Sequence, residues 1–135
     1  IHHCEAAIVL AGSPSDKPHV DRICNELAAE GIFSIPYFAS AHKNPNRVLE
    51  LLAFFDAQRR NRRIVYVAVA GMSNALSGVV AANCSSPVIA CPPFKDLTDM
   101  QTNVQSSLQM PRDVPGVVCL HPKNVAQFCK RMFTL

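Results

Sequence analysis

The sequence predicts an α/β fold in three layers, with helices covering both faces of a central parallel sheet. Residues 64–69, Ile-Val-Tyr-Val-Ala-Val, form an unbroken apolar run rich in β-branched residues, as a strand buried on both faces requires. Apolar runs of strand length alternate with helical patterns over short connections, which is typical of right-handed βαβ units. At 135 residues, the whole chain (1–135) is expected to be a single domain.

Each element is predicted from its local pattern. Strands are expected at residues 6–11, 32–39, 64–69, 87–91 and 117–120. Helices are expected at 20–28, from 45 to the arginines at 59–63, after 78, at 97–109 and at 123–133. Gly31 suits the C′ position of the first helix, and Asn44 and Pro45 suit the N-cap and first position of the second.

In two of the predicted helices, the spacing of apolar residues identifies the side that should face the core. The second should bury Val48, Leu51, Leu52 and Phe55, and the last should bury Val125, Phe128, Cys129 and Met132. The four arginines at 59, 60, 62 and 63 are interpreted as a solvated helix end, where cations complement the helix dipole. A nucleic-acid patch would need interleaved aromatic residues and more basic residues elsewhere, so no nucleic-acid partner is predicted.

Three polar loops follow predicted strands, at residues 12–16, 40–45 and 70–78. In parallel α/β sheets, ligands bind outside the carboxyl ends of the strands. The three loops are therefore expected to converge on one edge of the sheet and to form a single binding site there.

Composition limits the partners. The hydrophobic share is 49% and the charged share 17%, which suggests apolar surface buried between subunits. No apolar run approaches the roughly 20 residues of a membrane span, so no membrane partner is expected. The formal net charge of +3 slightly favours small anions.

The six cysteines contain no C-x-x-C pair, and most lie within apolar segments. They are interpreted as reduced core residues of a cytoplasmic protein, with disulfides or a metal site as the disfavoured alternatives. A metal site at His2, His3 and Cys4 is disfavoured because no other ligand cluster supports it. No metal is predicted.

The first loop has the chemistry of a phosphate site. Gly12, Ser13 and Ser15 offer backbone amides and two hydroxyls before a helix, and Asp16 could accept hydrogen bonds from sugar hydroxyls. An ordinary capped turn explains the same residues equally well, because Ser and Asp are common N-cap residues.

The second loop holds Ser40, Ala41, His42 and Lys43. Lys43 could hold an anion, and His42 could move a proton near neutral pH, although a lone loop histidine is more often simply exposed.

The third loop has no titratable group. It offers Ser73, Asn74, Ser77 and backbone amides to a small neutral ligand. A tight strand–helix turn relieved by glycines is the structural alternative.

Four motifs in this order carry a resemblance: Gly-Ser-x-Ser-Asp at 12–16, Ser-Ala-His-Lys at 40–43, Ala-Gly-x-Ser-Asn-x-Leu-Ser-Gly at 70–78 and Pro-Val-Ile-x-Cys-Pro-Pro at 87–93. Together they resemble the PurE family, the aminoimidazole ribonucleotide (AIR) carboxylases of purine biosynthesis. The match spans essentially the whole chain. Lys43 and Asn74, where the mutase class usually has Arg and His, resemble class II, the direct carboxylases.

The resemblance implies a flavodoxin-like fold, commonly an octamer with active sites near subunit contacts, and a reaction without metal, biotin or ATP. It implies AIR and carbon dioxide as substrates. In animals such domains are fused to a SAICAR synthetase domain, so a fused synthetase and excision from a longer bifunctional chain both stay open.

Carried over by motif, the resemblance implies that His42 is the base that removes the C4 proton after AIR attacks carbon dioxide. The implied substrate-binding residues are Gly12, Ser13, Ser15, Asp16, Ser40, Ala41, Lys43, Ala70, Gly71, Ser73, Asn74 and Leu76. Among these, Ser13, Ser15 and Asp16 would hold the ribose phosphate, and Gly71, Ser73 and Asn74 would hold carbon dioxide.

The chain departs from the class II pattern in one region. Asn103, Gln105 and Gln109 stand where a carboxylate, an aromatic residue and an arginine are usual. Two alternatives to the carboxylase therefore stay open: a mutase acting on N5-carboxyaminoimidazole ribonucleotide, and a catalytically weakened oligomeric binding module.

Overall fold

The computed structural model describes residues 4–135, so His2 and His3 lie outside the described residues. The predicted α/β class is confirmed. Five parallel strands form one sheet in the order β2-β1-β3-β4-β5: β1 (Glu5–Ala11), β2 (Ser34–Phe38), β3 (Arg63–Val69), β4 (Val88–Ala90) and β5 (Val117–Val118). Five helices connect or follow them: α1 (Lys17–Ala29), α2 (Pro45–Asp56), α3 (Leu76–Ala82), α4 (Leu97–Leu108) and α5 (Pro122–Phe133).

The two faces of the sheet carry separate apolar clusters, because successive residues of a strand point to opposite faces. On one face, Val9 and Val67 pack with α1 and α5, and on the other, Leu10 and Tyr66 pack with α2 and α3. The two central strands β1 and β3 are buried at every position except the first. Among the described residues, neither cluster includes a side chain of α4.

The helix signals in the sequence were accurate where capping residues marked them. Asn44 is the N-cap of α2, with Pro45 as its first residue, and Gly31 follows α1 with a positive φ of 74°. All four predicted inward residues of α2 are buried.

Several boundaries differ from the prediction. Strands β2 and β5 are shorter than expected, and α1 begins at Lys17, before the apolar pattern starts. Helix α3 begins at Leu76, so the third loop ends at residue 75 rather than 78. Helix α2 ends at Asp56, before the arginines. Arg63 is instead the first residue of β3, where its guanidinium pairs with the carboxylate of Glu5 on β1.

The prediction for Phe128 was wrong, since its side chain is 41% exposed. The buried stripe of α5 runs through Val125, Cys129 and Phe133 at intervals of four residues, which leaves Phe128 beside it. All six cysteines are free, but the interpretation of them as core residues holds fully for only two, since Cys91 and Cys129 are buried and Cys4 is exposed.

Across residues 4–135, no helix combines the length and apolarity that crossing a bilayer requires.

Candidate active site

The three polar loops start side by side at the carboxyl edge of the sheet. The amide of Ala39 donates to the carbonyl of Ala11 at 2.8 Å, and the amide of Gly12 donates to the carbonyl of Val69 at 3.0 Å. We call residues 12–16 loop 1, residues 40–45 loop 2 and residues 70–75 loop 3. Their predicted convergence on one edge is confirmed by this backbone pairing.

Loop 1 is ordered by its own serines. Ser13 Oγ accepts from the Ser15 amide at 3.3 Å and lies 2.8 Å from Ser15 Oγ, and the Asp16 amide donates to the Ser13 carbonyl at 3.0 Å. Residues 14–16 form a 3-10 turn that leads into α1. Two hydroxyls are thus held next to one another above the first turn of a helix, where an anion is favoured.

Loop 3 is held by hydrogen bonds to α4. The Asn74 amide donates to Ser106 Oγ at 2.8 Å, and Asn74 Nδ2 donates to Ser107 Oγ at 2.9 Å. The Ser106 hydroxyl in turn donates to the carbonyl of Met72 at 2.7 Å. Helix α4 therefore supports loop 3 through polar side chains.

A cavity of about 650 Å3 lies between loop 1, loop 3 and α4. It is lined by Ser13, Ser15, Asp16, Pro18, His19, Arg22, Gly71, Met72, Pro93, Phe94, Lys95, Asp99 and Asn103. Two cations, Arg22 and Lys95, share it with the loop 1 hydroxyls, so an anionic ligand meets both charge and hydrogen-bond donors there. Burial raises the pKa of the Asp16 carboxyl.

His19 is a buried titratable group on the wall of this cavity, and sequence reasoning missed it. Its Nε2 lies 3.1 Å from the Cys91 carbonyl, which can only accept, so Nε2 carries the proton. Its Nδ1 faces the Arg22 guanidinium at 3.5 Å. Desolvation lowers the pKa of His19, and the Arg22 charge acts in the same direction against the opposing Cys91 bond. The lowered pKa favours the neutral imidazole.

Four of the sequence-predicted residues line the cavity: Ser13, Ser15, Asp16 and Gly71. Loop 2 lies on the same edge but outside the cavity lining, with His42 and Lys43 exposed and the Lys43 amide bonded to Ser40 Oγ at 3.1 Å. Gly12, Ala41, Ala70 and Ser73 are likewise not among the lining residues.

Two of the predicted binding residues have buried side chains. The Leu76 side chain is 2% exposed and belongs to the apolar cluster under α3. The Asn74 side chain is 4% exposed, and both ends of its carboxamide are occupied: Oδ1 accepts from the Ser77 amide, and Nδ2 donates to Ser77 Oγ and Ser107 Oγ. Asn74 is therefore placed as a brace for loop 3.

Comparisons with known proteins identify the family of the chain. Residues 6–135 match a family model described as AIR carboxylase. The chain belongs to the AIR carboxylase family. Members of this family are enzymes of purine biosynthesis, and the fold described above is that of solved PurE structures.

Curated relatives and a solved structure support the assignment. A phosphoribosylaminoimidazole carboxylase of Archaeoglobus fulgidus is 40% identical over 129 residues, which cover 96% of this chain and 69% of the relative. The human bifunctional phosphoribosylaminoimidazole carboxylase/phosphoribosylaminoimidazole succinocarboxamide synthetase is 38% identical, over 95% of this chain and 29% of its own length. The crystal structure of Treponema denticola PurE superposes with a TM-score of 0.90 at 37% identity, covering 96% of this chain and 80% of that chain.

Several cavity residues carried no local sequence signal. Arg22, Lys95 and Asp99 look like ordinary surface charges in the sequence, and only the folding of α1 and α4 around loop 3 places them on one wall. Asn74 did carry a signal, because an Asn shortly before an apolar helix is typical of a cap. Within residues 4–135, no group of three or more His, Cys, Asp or Glu side chains is arranged to hold a metal ion.

Proposed function

We propose that the chain carboxylates AIR at C4 with carbon dioxide, giving 4-carboxy-AIR, without ATP, biotin or metal. The observation that carries this proposal is the cavity of about 650 Å3 that loop 1 and loop 3 share at the carboxyl edge. Its hydroxyls and cations suit a ribose phosphate, and Gly71 and Met72 of loop 3 line the same cavity.

The reaction forms a C–C bond at C4 and breaks the C–H bond there. The aminoimidazole ring is an enamine, so C4 attacks the carbon of carbon dioxide and forms a C–C bond. C4 then carries both a proton and the new carboxylate, and removal of that proton restores the aromatic ring. Aligning the two substrates and excluding water supply most of the rate in this proposal.

In this proposal the loops divide the work. Gly12, Ser13, Ser15 and Asp16 of loop 1 bind the ribose phosphate, Ser40, Ala41 and Lys43 of loop 2 face the ring and phosphate, and Ala70, Gly71 and Ser73 of loop 3 hold carbon dioxide. His42 is the base that takes the C4 proton. Asn74 and Leu76 support loop 3 and α3 in this proposal, because their side chains are buried.

Association into an octamer and a cytoplasmic location belong to the same proposal. Exposed apolar side chains such as Phe54 (58%) and Leu97 (65%) support burial between subunits. Free cysteines support a reducing compartment. A fused synthetase domain, which the human relative's name records, would be revealed by the mass of the native gene product.

Incubation with AIR and bicarbonate in the absence of ATP tests the activity, with formation of 4-carboxy-AIR as the expected result. Conversion of N5-carboxyaminoimidazole ribonucleotide alone would instead identify a mutase, and AIR binding without turnover would identify a binding module. His42→Asn should lower kcat by about 100- to 10,000-fold, the usual contribution of a general base, while AIR binding persists. Sedimentation that finds only monomer at micromolar concentration would contradict the octamer.

A further inference from the structure

The carboxamide of Asn103 joins three parts of the cavity wall. Its Oδ1 accepts from the amide of Met72 in loop 3 at 3.0 Å, and its Nδ2 donates to the carbonyl of Pro93 at 3.0 Å. Nδ2 also lies 3.3 Å from Oδ1 of Asp99, one turn earlier in α4. The residue is 7% exposed, so these bonds have little competition from water.

The two ends of this carboxamide are not interchangeable. The Met72 amide can only donate and the Pro93 carbonyl can only accept, which fixes the orientation of the Asn103 side chain. Met72 itself has a φ of 55°, a left-handed conformation that is uncommon for residues other than glycine. A β-carbon built on Gly71 would lie 3.6 Å from Asn103 Nδ2 and 3.7 Å from Pro93, so Gly71 lies next to both residues.

We propose that Asn103 is a positioning residue that holds loop 3 in the conformation required for carboxylation, and that Asp99 requires position 103 to be an uncharged donor. This proposal rests on the proposed AIR carboxylation for its kinetic readout. It concerns the shape of the carbon dioxide side of the cavity, since Asn103 acts through Gly71 and Met72.

The neighbouring carboxylate of Asp99 explains why Nδ2 of Asn103 matters. Asp99 Oδ2 accepts from the backbone amide of Lys95 at 2.8 Å, and Asp99 Oδ1 accepts from the side-chain Nδ2 of Asn103, so both carboxylate oxygens are engaged. Asn103→Asp keeps the shape and the acceptor for Met72, but it sets a second carboxyl against Asp99 and against the Pro93 carbonyl. Like charges at this separation raise the pKa of one carboxyl strongly.

The charged groups that face position 103 are limited among the described residues. On its own helix there is Asp99, and after β4 there is Lys95. Across the cavity, loop 1 presents Asp16 and α1 presents His19 and Arg22, while loop 3 presents no titratable side chain. Of these groups, Asp99 lies within hydrogen-bond distance of the Asn103 side chain. It is therefore expected to dominate the effect of a carboxylate at position 103.

The test compares Asn103→Asp with Gln105→Glu, which adds the same charge to an exposed position of α4. At pH 8, we expect Asn103→Asp to lower kcat/KM about tenfold, largely in kcat, and Gln105→Glu to leave it unchanged. At lower pH the Asp side chain at position 103 is protonated and can donate to the Pro93 carbonyl. The activity of Asn103→Asp relative to wild type should therefore recover as the pH falls. Adding Asp99→Asn to Asn103→Asp should restore most of the loss at pH 8.

Amide hydrogen exchange of loop 3 gives a second readout that needs no turnover. Exchange at Met72 should be faster in Asn103→Asp than in wild type at pH 8, because a carboxylate repelled by Asp99 and no longer bonded to Pro93 holds the Met72 amide less firmly. Exchange should slow again when Asp99→Asn is added. Equal exchange in wild type and Asn103→Asp, or a loss that Asp99→Asn does not reduce, would overturn the proposal. Absence of AIR carboxylation by the wild-type chain would instead refute the proposed function, and the exchange comparison would still decide the role of Asn103.

Discussion

Asn74 separates two explanations of loop 3, and removing its side chain distinguishes them. The sequence suggested a direct contact with carbon dioxide, whereas the structure buries the carboxamide between α3 and α4. Asn74→Ala deletes the acceptor for the Ser77 amide at 3.1 Å and the donor to Ser77 Oγ at 3.0 Å and Ser107 Oγ at 2.9 Å.

The expected cost follows from these three bonds. A hydrogen bond contributes about 0.5–1.5 kcal/mol net, and a buried donor left without a partner costs about 1–3 kcal/mol. The Ser77 amide is such a donor, because Ser77 is 5% exposed and lies in the first turn of α3. We therefore expect Asn74→Ala to lower the free energy of unfolding by about 2–4 kcal/mol.

Urea unfolding followed by circular dichroism measures this change, at one fixed protein concentration because assembly stabilises the folded state. Ser73→Ala is the matched control: it removes an exposed hydroxyl from the adjacent residue and should change stability by less than about 0.5 kcal/mol. Asn74→Asp should lose less than Asn74→Ala, since a carboxylate still accepts from the Ser77 amide and from both hydroxyls.

A specific pattern would refute the reasoning. If Asn74→Ala unfolds within about 0.5 kcal/mol of wild type, as surface substitutions do, but loses activity, then Asn74 acts on the substrate and not as a brace. Stability lost equally in Asn74→Ala and Asn74→Asp would also contradict the hydrogen-bond account, because the acceptor survives only in the second.

Two further predictions concern buried titratable groups. Because the folded state lowers the pKa of His19, the neutral imidazole stabilises the fold above the unfolded pKa of about 6.5, and this stabilisation is lost as the pH falls. Between about pH 7.5 and pH 5.5, wild type should therefore lose more stability than His19→Gln, and urea midpoints that fall equally in the two proteins would contradict this. Burial raises the pKa of Cys91 and Cys129 to about 12, so iodoacetamide at pH 8 should alkylate exposed Cys4 quickly and these two thiols only after unfolding. Peptide mass spectrometry measures the labelling, and alkylation of Cys91 as fast as that of Cys4 would overturn this prediction.

Local patterns were sufficient for much of the fold and for part of the site. The buried strand β3, the turn at Gly31 and the start of α2 at Pro45 depend on nearby residues, through β-branched burial, a positive φ and the fixed φ of proline. Parallel strands also bring their carboxyl ends to one edge whatever the side chains are. For that reason, the convergence of the three loops could be predicted from the order of strands and helices alone.

Elements held by distant contacts could not be predicted in the same way. Strand β5 has two residues, and its place at the edge of the sheet depends on pairing with β4. The inward face of α5 depends on where α1 lies, which is why Phe128 is exposed although its spacing is helical and apolar.

The sequence by itself determined the parallel α/β scaffold and the edge at which the three loops meet, because both depend on periodicity or chain order. Only the tertiary structure decided the far wall of the cavity. There, α1 contributes His19 to a carbonyl 72 residues away, and α4 contributes Asn103 to an amide 31 residues away. Hydrogen bonds between segments so far apart leave no periodic trace in the sequence, since each partner alone is an ordinary polar residue on a helix.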